Sequence, residues 1–247
     1  MKISIITVTY NSEKTIKDTL ASIANQTFKN IEHIIIDGKS TDNTINIIKK
    51  SNHNVVLISE PDNGIYDAMN KGIKIASGDI IGILNSDDLY FDNNIINMVV
   101  NEFIIDNELN ILYGDLVYVK QYNTSKIVRN WITCDFYNNY FENGNVPPHP
   151  SLFLRNKVYE VAGLFNSQFN FASDYEFMLR IFKKHSFKKK YINHFFVKMR
   201  LGGATNKSIK NIYLGNIEIL KSWFINDLKI PLLLFPKRFF KKLSQFL

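Results

Sequence analysis

The feature that most constrains the fold is a regular alternation of short β-branched runs and helix-periodic segments in the first part of the chain. Ile16, Leu20 and Ile23, for example, recur at the spacing of one helical face. The predicted strands lie at residues 3–8, 34–36, 55–58 and 79–84, and the helices between them begin near residues 11, 43 and 65. Such a β-α-β order requires parallel strands joined by right-handed crossovers. The sequence therefore predicts an α/β fold with a Rossmann-like sheet and helices on both faces.

The second half of the chain has a less regular pattern. Its predicted strands lie at residues 111–119, 151–154 and 191–199, and its predicted helices at 93–105, 156–162, 173–184, 207–226 and 232–247. Between residues 134 and 150, Gly144 and three prolines indicate a long loop. Long loops in compact domains often cover a ligand site.

Cysteine usage and hydropathy limit the compartment in which we expect the chain to work. Cys134 is the single cysteine, so no internal disulfide can form and a reducing compartment fits. The apolar run at the N-terminus turns polar at Thr7, which indicates a first strand rather than a signal peptide. We see no run of the ~20 apolar residues that a spanning helix needs. We therefore expect a cytoplasmic protein, or one bound to a membrane surface.

Charge is distributed unevenly along the chain, which has a formal net charge of +7. Residues 183–247 contain fifteen lysines and arginines but only two acids, Glu218 and Asp227, so the rest of the chain is net acidic. A basic C-terminal quarter on an acidic body predicts an anionic partner for that quarter.

Polar side chains follow each of the first four predicted strands. They are Thr9, Tyr10 and Asn11 after the first, Asp37 after the second, Asp62 after the third, and Asp87 with Asp88 after the fourth. In open α/β sheets, ligands bind at the carboxyl ends of the strands. The topology therefore predicts that these residues, although distant in sequence, share one rim and one ligand site.

The Asp87–Asp88 pair is the first candidate for chemistry at this rim. Two adjacent carboxylates repel each other, and a hard divalent cation or nearby basic groups relieve the repulsion. Mg²⁺ or Mn²⁺ held by one or two carboxylates and by diphosphate oxygens is the usual arrangement in nucleotide chemistry. The alternative is an acidic turn that caps the following helix.

Three further positions have both a functional and a structural interpretation. Tyr10 with Thr9 and Asp37 suits a nucleobase, which would stack on the ring and donate to the carboxylate; packing and turn capping are the alternatives. Asp174 stands in the first turn of a predicted helix, where it serves as a general base or only as a cap. His149, in a stiff Pro-His-Pro loop, contacts a diphosphate or an acceptor, or is purely structural.

Several segments, taken together and in order, resemble the inverting GT-A fold glycosyltransferases of family 2. They are IITVTYN at the start, DGKSTDNT at 37–44, EPDNGIYDAMNKG at 60–72, GILNSDD at 82–88, HPSLFLR at 149–155, VAGLFN at 161–166 and SDYEF at 173–177. The resemblance implies a GT-A catalytic domain over residues 1–205, with a nucleotide-sugar half at 1–92 and an acceptor half at 93–205. A helical, basic, membrane-associating segment then covers residues 206–247.

The resemblance also implies roles for individual residues. Thr9, Tyr10 and Asp37 would hold the uracil of a UDP-sugar. At the DxD position, Asp88 would contact Mn²⁺ or Mg²⁺, and Asp87 would hold the ribose or the sugar. Asp174 would take the proton from the acceptor hydroxyl during a direct displacement, so that an α-linked donor gives a β-linkage.

The sequence departs from the family pattern at two places. Gly38-Lys39 stands where many members have Asp-Gly, and Lys39 would then supply charge to the diphosphate. Met69 replaces a frequent arginine before Asn70, which puts nucleotide contacts of that helix in question. Lys198 and Arg200, before a Gly-Gly pair, are further candidates for contacting the diphosphate.

The sequence of segment 60–72 resembles the corresponding segment of bacterial enzymes that build O-antigen or capsule repeats. It implies transfer of glucose or galactose from a UDP-sugar to an N-acetylhexosamine linked to polyprenyl diphosphate. The enzyme would then be a peripheral protein on the cytoplasmic face of the bacterial inner membrane, with no nucleic-acid partner. A sugar nucleotidyltransferase and a non-catalytic binder of anionic surfaces are the rival functions.

The last predicted helix supports a membrane-bound acceptor independently of the resemblance. Its apolar side consists of Phe235, Phe239, Phe240, Leu243, Phe246 and Leu247. Its basic side consists of Lys237, Arg238, Lys241 and Lys242. A basic amphipathic helix with aromatic anchors can lie in a bilayer interface. The alternative is that its apolar side packs on the body of the protein.

Overall fold

The computed structural model describes residues 1–51, 53–202 and 208–245. The strands are β1 (Ile3–Thr9), β2 (Ile31–Asp37), β3 (Val56–Ser59), β4 (Ile80–Ile83), β5 (Leu89–Tyr90), β6 (Leu109–Lys120), β7 (Asn123–Trp131), β8 (Leu152–Arg155) and β9 (Lys188–Arg200). The helices are α1 (Ile16–Ala24), α2 (Thr44–Lys50), α3 (Ile65–Ile75), α4 (Ile95–Ile105), α5 (Asn156–Ala162), α6 (Ser173–Lys183), α7 (Ile209–Ile225) and α8 (Leu234–Ser244).

One mixed nine-stranded sheet organises these elements, with the order β3-β2-β1-β4-β8-β6-β9-β5 and β7 paired to β6. The first four strands are parallel, as the alternating pattern predicts. Thr9 pairs with Asp37, and Asp37 with Ser59, so β1, β2 and β3 end at one level. This register places the loops that follow these strands at the same edge of the sheet.

Two strands lie where the sequence predicts none, and β8 reverses direction between β4 and β6. The hairpin strand β7 is exposed at most of its positions, so it has no hydrophobic alternation to reveal it. Strand β5 has only two residues and pairs with β9. Strands from residues 1–92 and 93–205 share this single sheet, and the division into two halves stays a prediction.

The segment of residues 134–150 is an anchored connection. Tyr140 and Phe141 are completely buried within it, and both pack in the core that α6 shares. The Tyr113 hydroxyl donates to the Cys134 carbonyl at 2.8 Å, which fixes the start of the segment on β6. Its last part, His149–Ser151, forms a 3-10 turn that leads into β8.

Helix α7 fixes the position of α6, the helix that begins with Asp174. The Glu218 carboxylate accepts the backbone amides of Asn170, Phe171 and Ala172 at 2.8–2.9 Å. The Trp223 indole donates to the Tyr175 hydroxyl at 2.9 Å. A carboxylate that binds several amides at a helix start satisfies donors that the helix itself leaves open.

Helix α8 packs on the body of the protein through its first turn, with Lys237 and Arg238 half-buried and Lys241 and Lys242 exposed, and its membrane association stays a prediction. Leu234 is buried and Phe235 packs against the core, whereas Phe239, Phe240 and Leu243 are exposed. Lys237 donates to the Asn143 side chain at 2.8 Å. Phe246 and Leu247 lie outside the described residues. Across the part of the chain that the structure describes, no helix has both the length and the apolarity to cross a bilayer.

Candidate active site

A cleft of about 1330 Å³ opens at the carboxyl ends of β1 and β4 and extends to α6, α7 and α8. Of the predicted site residues, eight line it: Thr9, Tyr10, Asn11, Asp62, Asp87, His149, Asp174 and Arg200. The other four, Asp37, Lys39, Asn70 and Asp88, are not among its lining residues. The rim predicted from topology is therefore real, but its membership differs from the prediction.

Tyr10 and Asp62 form the aromatic–carboxylate pair of this cleft. The Tyr10 ring is 62% exposed and free to stack. A β-carbon placed on Gly38 would lie 2.5 Å from Asp62 Oδ2 and 3.5 Å from the Tyr10 ring, so the Asp62 carboxylate lies directly against the Gly38 backbone beside that ring. The other oxygen, Oδ1, accepts the Gly64 amide at 2.9 Å. Asp62 thus fills the space that an acidic side chain at position 38 would need.

Asp37 pairs with Thr9 in the strand register but is not among the residues that line the cleft. It is completely buried at the end of β2. Its carboxylate accepts the Ser40 amide at 2.9 Å, the Ser40 hydroxyl at 2.5 Å and the Ser59 hydroxyl at 2.7 Å. Both oxygens take part in closing the turn after β2, and the contact of Asp37 with a nucleobase stays a prediction.

Asn11, Lys39 and Asn70 shape the site in different ways. Asn11 lines the cleft, and its side-chain oxygen accepts the Thr41 amide at 2.9 Å, which ties the first loop to the second. Lys39 lies on the exposed turn after β2. The buried Asn70 amide makes a reciprocal pair with the Phe165 backbone, at 2.8 and 3.0 Å, so it clamps α3 to the turn before α6. The predicted ligand contacts of Lys39 and Asn70 are not supported by this geometry.

The two acids of the predicted metal site differ in access. Asp87 lines the cleft, whereas Asp88 is completely buried behind it and accepts the Arg200 amide at 3.3 Å. Burial raises the pKa of Asp87. Burial also raises the pKa of Asp88 well above its usual range, and the charge of Asp87 raises it further. The ionised form of the pair is therefore disfavoured unless a further positive charge joins it.

A divalent cation fits this pair of carboxylates. Within the described ranges, Asp88 Oδ2, Asn85 Oδ1 and Thr9 Oγ1 are buried oxygens without a hydrogen-bond partner. Hard oxygen donors of this kind suit Mg²⁺ or Mn²⁺. No group of three or more His, Cys, Asp or Glu side chains with metal-site spacing occurs in the part of the chain described. Two carboxylates with water and diphosphate oxygens are, however, the arrangement usual for Mg²⁺ at nucleotides.

Arg200 supports the acidic turn through hydrogen bonds to both of its acidic residues. Its guanidinium donates to the Asp87 carbonyl at 2.8 Å, to the Gln121 carbonyl at 2.9 Å and to the Asp18 carboxylate at 2.5 Å. Arg200 is buried, and its guanidinium makes these three hydrogen bonds to other parts of the protein. Arg200 is thus a brace that positions Asp87, and its contact with the diphosphate stays a prediction.

Asp174 lies in the cleft at the start of α6, supported on both sides. Its Oδ1 accepts the Tyr66 hydroxyl at 3.0 Å and the Tyr175 amide at 2.8 Å. Its Oδ2 is 4.0 Å from His149 Nδ1. Burial lowers the pKa of His149, although the charge of Asp174 raises it in part. A neutral imidazole therefore stands beside the carboxylate, which is held in place and accessible from the cleft.

Sequence reasoning missed three residues that position this site: Asp18, Tyr66 and Glu218. Each acts through a partner that is distant in the chain, Arg200, Asp174 and the loop before α6 respectively. Tyr66 belongs to the segment 60–72 that carries part of the resemblance, which is the one signal that points to it. Asp18 and Glu218 occupy helices with no motif around them.

A family model described as glycosyl transferase family 2 matches residues 4–195, which is most of the chain. The chain belongs to glycosyl transferase family 2. Asp87, Asp88 and Asp174 fall within the matched range. The family assignment made from the sequence segments is thereby confirmed.

Relatives and solved structures agree with this family assignment. A PGL/p-HBAD biosynthesis glycosyltransferase of Mycobacterium bovis is 26% identical over 229 residues, which cover 87% of this chain and 84% of the relative. The S. aureus TarS structure with UDP-GlcNAc has a TM-score of 0.67 at 18% identity, covering 98% of this chain and 79% of TarS. The Pyrobaculum calidifontis mannosyltransferase PcManGT, solved with GDP-Man and Mn²⁺, has a TM-score of 0.63 at 17% identity, covering 98% and 74% of the two chains. The chain therefore has the GT-A fold.

Proposed function

We propose that this family 2 member is an inverting hexosyltransferase that uses a UDP-sugar. It transfers glucose or galactose to an N-acetylhexosamine linked to polyprenyl diphosphate and forms a β-linkage. The observation that carries the proposal is that one cleft contains a stacking ring with its carboxylate, an acidic turn and a supported base: Tyr10 with Asp62, Asp87, and Asp174. The neighbouring structures with UDP-GlcNAc and GDP-Man support a nucleotide-sugar donor.

The nucleobase end of the cleft is formed by Tyr10 and Asp62. The nucleobase stacks on the exposed Tyr10 ring, and the uracil imino group donates to Asp62 Oδ2. This assignment follows from the position of Asp62 against Gly38 and from the closed turn around Asp37. A carboxylate accepts from uracil N3–H but repels the unprotonated N3 of cytosine, so this pair favours UDP over CDP.

The diphosphate end of the cleft is formed by the acidic turn. Asp87, with Asp88 behind it, would hold Mn²⁺ or Mg²⁺, which supplies positive charge for the departing UDP oxygens. The protein's own contribution is to fix the turn: the Arg200 guanidinium holds the Asp87 carbonyl and the Arg200 amide holds Asp88. Because the Asp87 and Asp88 carboxylates are already held in position, they need not reorient during the reaction.

The base at the acceptor end is Asp174. The Tyr66 hydroxyl and the Tyr175 amide orient Oδ1, which leaves Oδ2 for the acceptor hydroxyl. Oδ2 takes the hydroxyl proton while the acceptor oxygen attacks the anomeric carbon and the UDP oxygen leaves. This single displacement inverts the anomeric centre without a covalent enzyme intermediate. Neutral His149 beside Oδ2 adds no positive charge that would weaken the base.

We place the enzyme on the cytoplasmic face of the bacterial inner membrane, as a peripheral protein. The exposed Phe239, Phe240 and Leu243 of α8 form an apolar edge next to the cleft mouth. Aromatic side chains at such an edge insert into the interface of a bilayer. The hexose identity and the O-antigen or capsule setting rest on the resemblance of residues 60–72 to enzymes of those syntheses.

UDP binding measured by calorimetry, with and without Mn²⁺, tests the proposed function against its rivals. We expect UDP to bind more tightly with Mn²⁺, and CDP to bind at least about tenfold more weakly than UDP. Asp62→Asn should reduce this preference for UDP, because its amide can pair with either base. A nucleotidyltransferase would prefer a nucleoside triphosphate, and a non-catalytic binder would show no dependence on Mn²⁺. Either result would replace the proposal.

A further inference from the structure

Four cationic side chains line the side of the cleft that β7 and α8 form. They are Arg129 of β7 and Arg238, Lys241 and Lys242 of α8, here called the cationic cluster. Across residues 1–51, 53–202 and 208–245, none of Arg238, Lys241 and Lys242 has an acidic side chain within ion-pair distance. The cleft therefore has acids in the turn after β4 and concentrated positive charge on the side that β7 and α8 form.

The cluster belongs to a firmly docked part of the structure. A β-carbon on Gly144 would lie 2.7 Å from the Arg238 amide nitrogen, so the backbone of α8 packs directly on that glycine. The Asn130 amide donates to the Gln245 carbonyl at 3.1 Å, which joins the end of α8 to β7. These contacts bring Arg129 and α8 to one side of the cleft. The positive charge is held there by backbone packing and not by flexible side chains alone.

The cluster adjoins the proposed base through two aromatic rings. The Arg238 guanidinium carbon lies 4.8 Å from the centre of the Tyr175 ring, and Tyr175 directly follows Asp174. The Arg129 guanidinium carbon lies 3.7 Å from the centre of the Tyr118 ring, which also lines the cleft. An acceptor whose hydroxyl is at Asp174 would therefore share the cleft with these cations.

Like charges held together are costly unless an anion joins them. Partial burial lowers the pKa of Lys242, and the charges of Arg129 and Arg238 lower it further. Guanidinium groups bind phosphate oxygens in pairs, and lysines add point charge. The cluster therefore has the chemistry of a phosphate or diphosphate site, and none of its four residues is among the proposed nucleotide contacts.

We propose that the cationic cluster binds the phosphate groups of the acceptor, holding the acceptor sugar against Asp174. This inference rests on the proposed function. The phosphate site and the apolar edge of Phe239, Phe240 and Leu243 are on one helix. A lipid-linked sugar can thus have its phosphates in the cleft and its hydrocarbon chain at the outer side of α8. The same cations could instead contact anionic lipid headgroups, and the test separates the two sources.

The test compares two acceptors in a transfer assay: N-acetylglucosamine on a short prenyl diphosphate, and the same sugar on an alkyl group without phosphate. We expect Lys242→Gln and Arg238→Gln to raise KM for the diphosphate acceptor by about tenfold or more, as for loss of a charged hydrogen bond. KM for the alkyl acceptor and the Kd for UDP should not change. Lys210→Gln, at an exposed position on α7, is the matched control. Equal changes for both acceptors, or none, would overturn the proposal.

Two direct measurements keep the result interpretable. Inorganic diphosphate binding in EDTA, measured by calorimetry, should be lost in Lys241→Gln/Lys242→Gln even if no transfer is ever detected; unchanged binding would contradict the site. Because Lys241 and Lys242 are exposed, this variant should keep the wild-type melting temperature. Sedimentation with phosphatidylglycerol vesicles completes the set. Reduced vesicle binding with unchanged acceptor KM would assign the cations to lipid headgroups and overturn acceptor binding.

Discussion

Replacing Asp174 by asparagine is expected to lower kcat for sugar transfer by about 10²- to 10⁴-fold, the usual contribution of a general base. The side chain keeps an oxygen that can accept from Tyr66 and from the Tyr175 amide, so α6 should keep its position. It loses the charged oxygen that takes the acceptor proton. Transfer rates from coupled UDP release, together with calorimetric UDP binding, measure both effects.

The control for this variant is Asp227→Asn, because Asp227 is exposed beyond the end of α7 and far from the cleft lining. It should transfer sugar at the wild-type rate. UDP affinity should be unchanged in both variants, since Asp174 lies at the acceptor end. Near-normal turnover in Asp174→Asn would remove Asp174 as the base, and weakened UDP binding would indicate that the helix had moved.

Replacing Asp87 by asparagine is expected to lower kcat/KM by more than about 10²-fold through loss of the cation, whose charge stabilisation is worth several kcal/mol. Unlike Asp174→Asn, this variant should lose the Mn²⁺-dependent part of UDP affinity. Its melting temperature should stay the same or rise, because the substitution removes charge from a buried pair whose pKa values are raised. Calorimetry over a range of Mn²⁺ concentrations and thermal unfolding provide the two measurements.

The contrast between Asp174→Asn and Asp87→Asn separates the role of the catalytic base from the role of the acidic turn. Arg200→Lys should resemble a mild form of Asp87→Asn, since the guanidinium that holds the Asp87 carbonyl is removed without touching the carboxylate. If Asp87→Asn retained Mn²⁺-dependent UDP binding, the cation would have to be held elsewhere. That result would leave the cleft as a sugar-nucleotide site without the proposed acidic turn.

The parallel part of the sheet was predictable because β1, β2 and β4 are largely buried and its helices have a clear apolar period. The rim was predictable because topology alone brings the strand ends together. Side-chain direction at a strand end was not, and this is why Asp37 faces its own turn while Asp62 takes the place beside Tyr10. Asn70 pairs with Phe165, 95 positions away, and no local pattern records such a partner.

The orientation of α8 shows a second limit of sequence reasoning. Periodicity separates an apolar side from a basic side, but it does not say which side faces the protein. In the structure, Gly144 admits the helix backbone so closely that Arg238 points to the cleft, and Phe240 is left 67% exposed. The packing of two distant segments therefore decides the orientation of this helix.

The most direct test is a transfer assay with UDP-glucose, UDP-galactose and UDP-N-acetylglucosamine, Mn²⁺, and a prenyl-diphosphate N-acetylglucosamine acceptor, with NMR of the product. We predict one β-linked hexose product, formed from UDP-glucose or UDP-galactose and abolished by EDTA. An α-linkage from these α-linked donors, or transfer that persists in EDTA, would contradict the account of Asp87 and Asp174 as two ends of one inverting site.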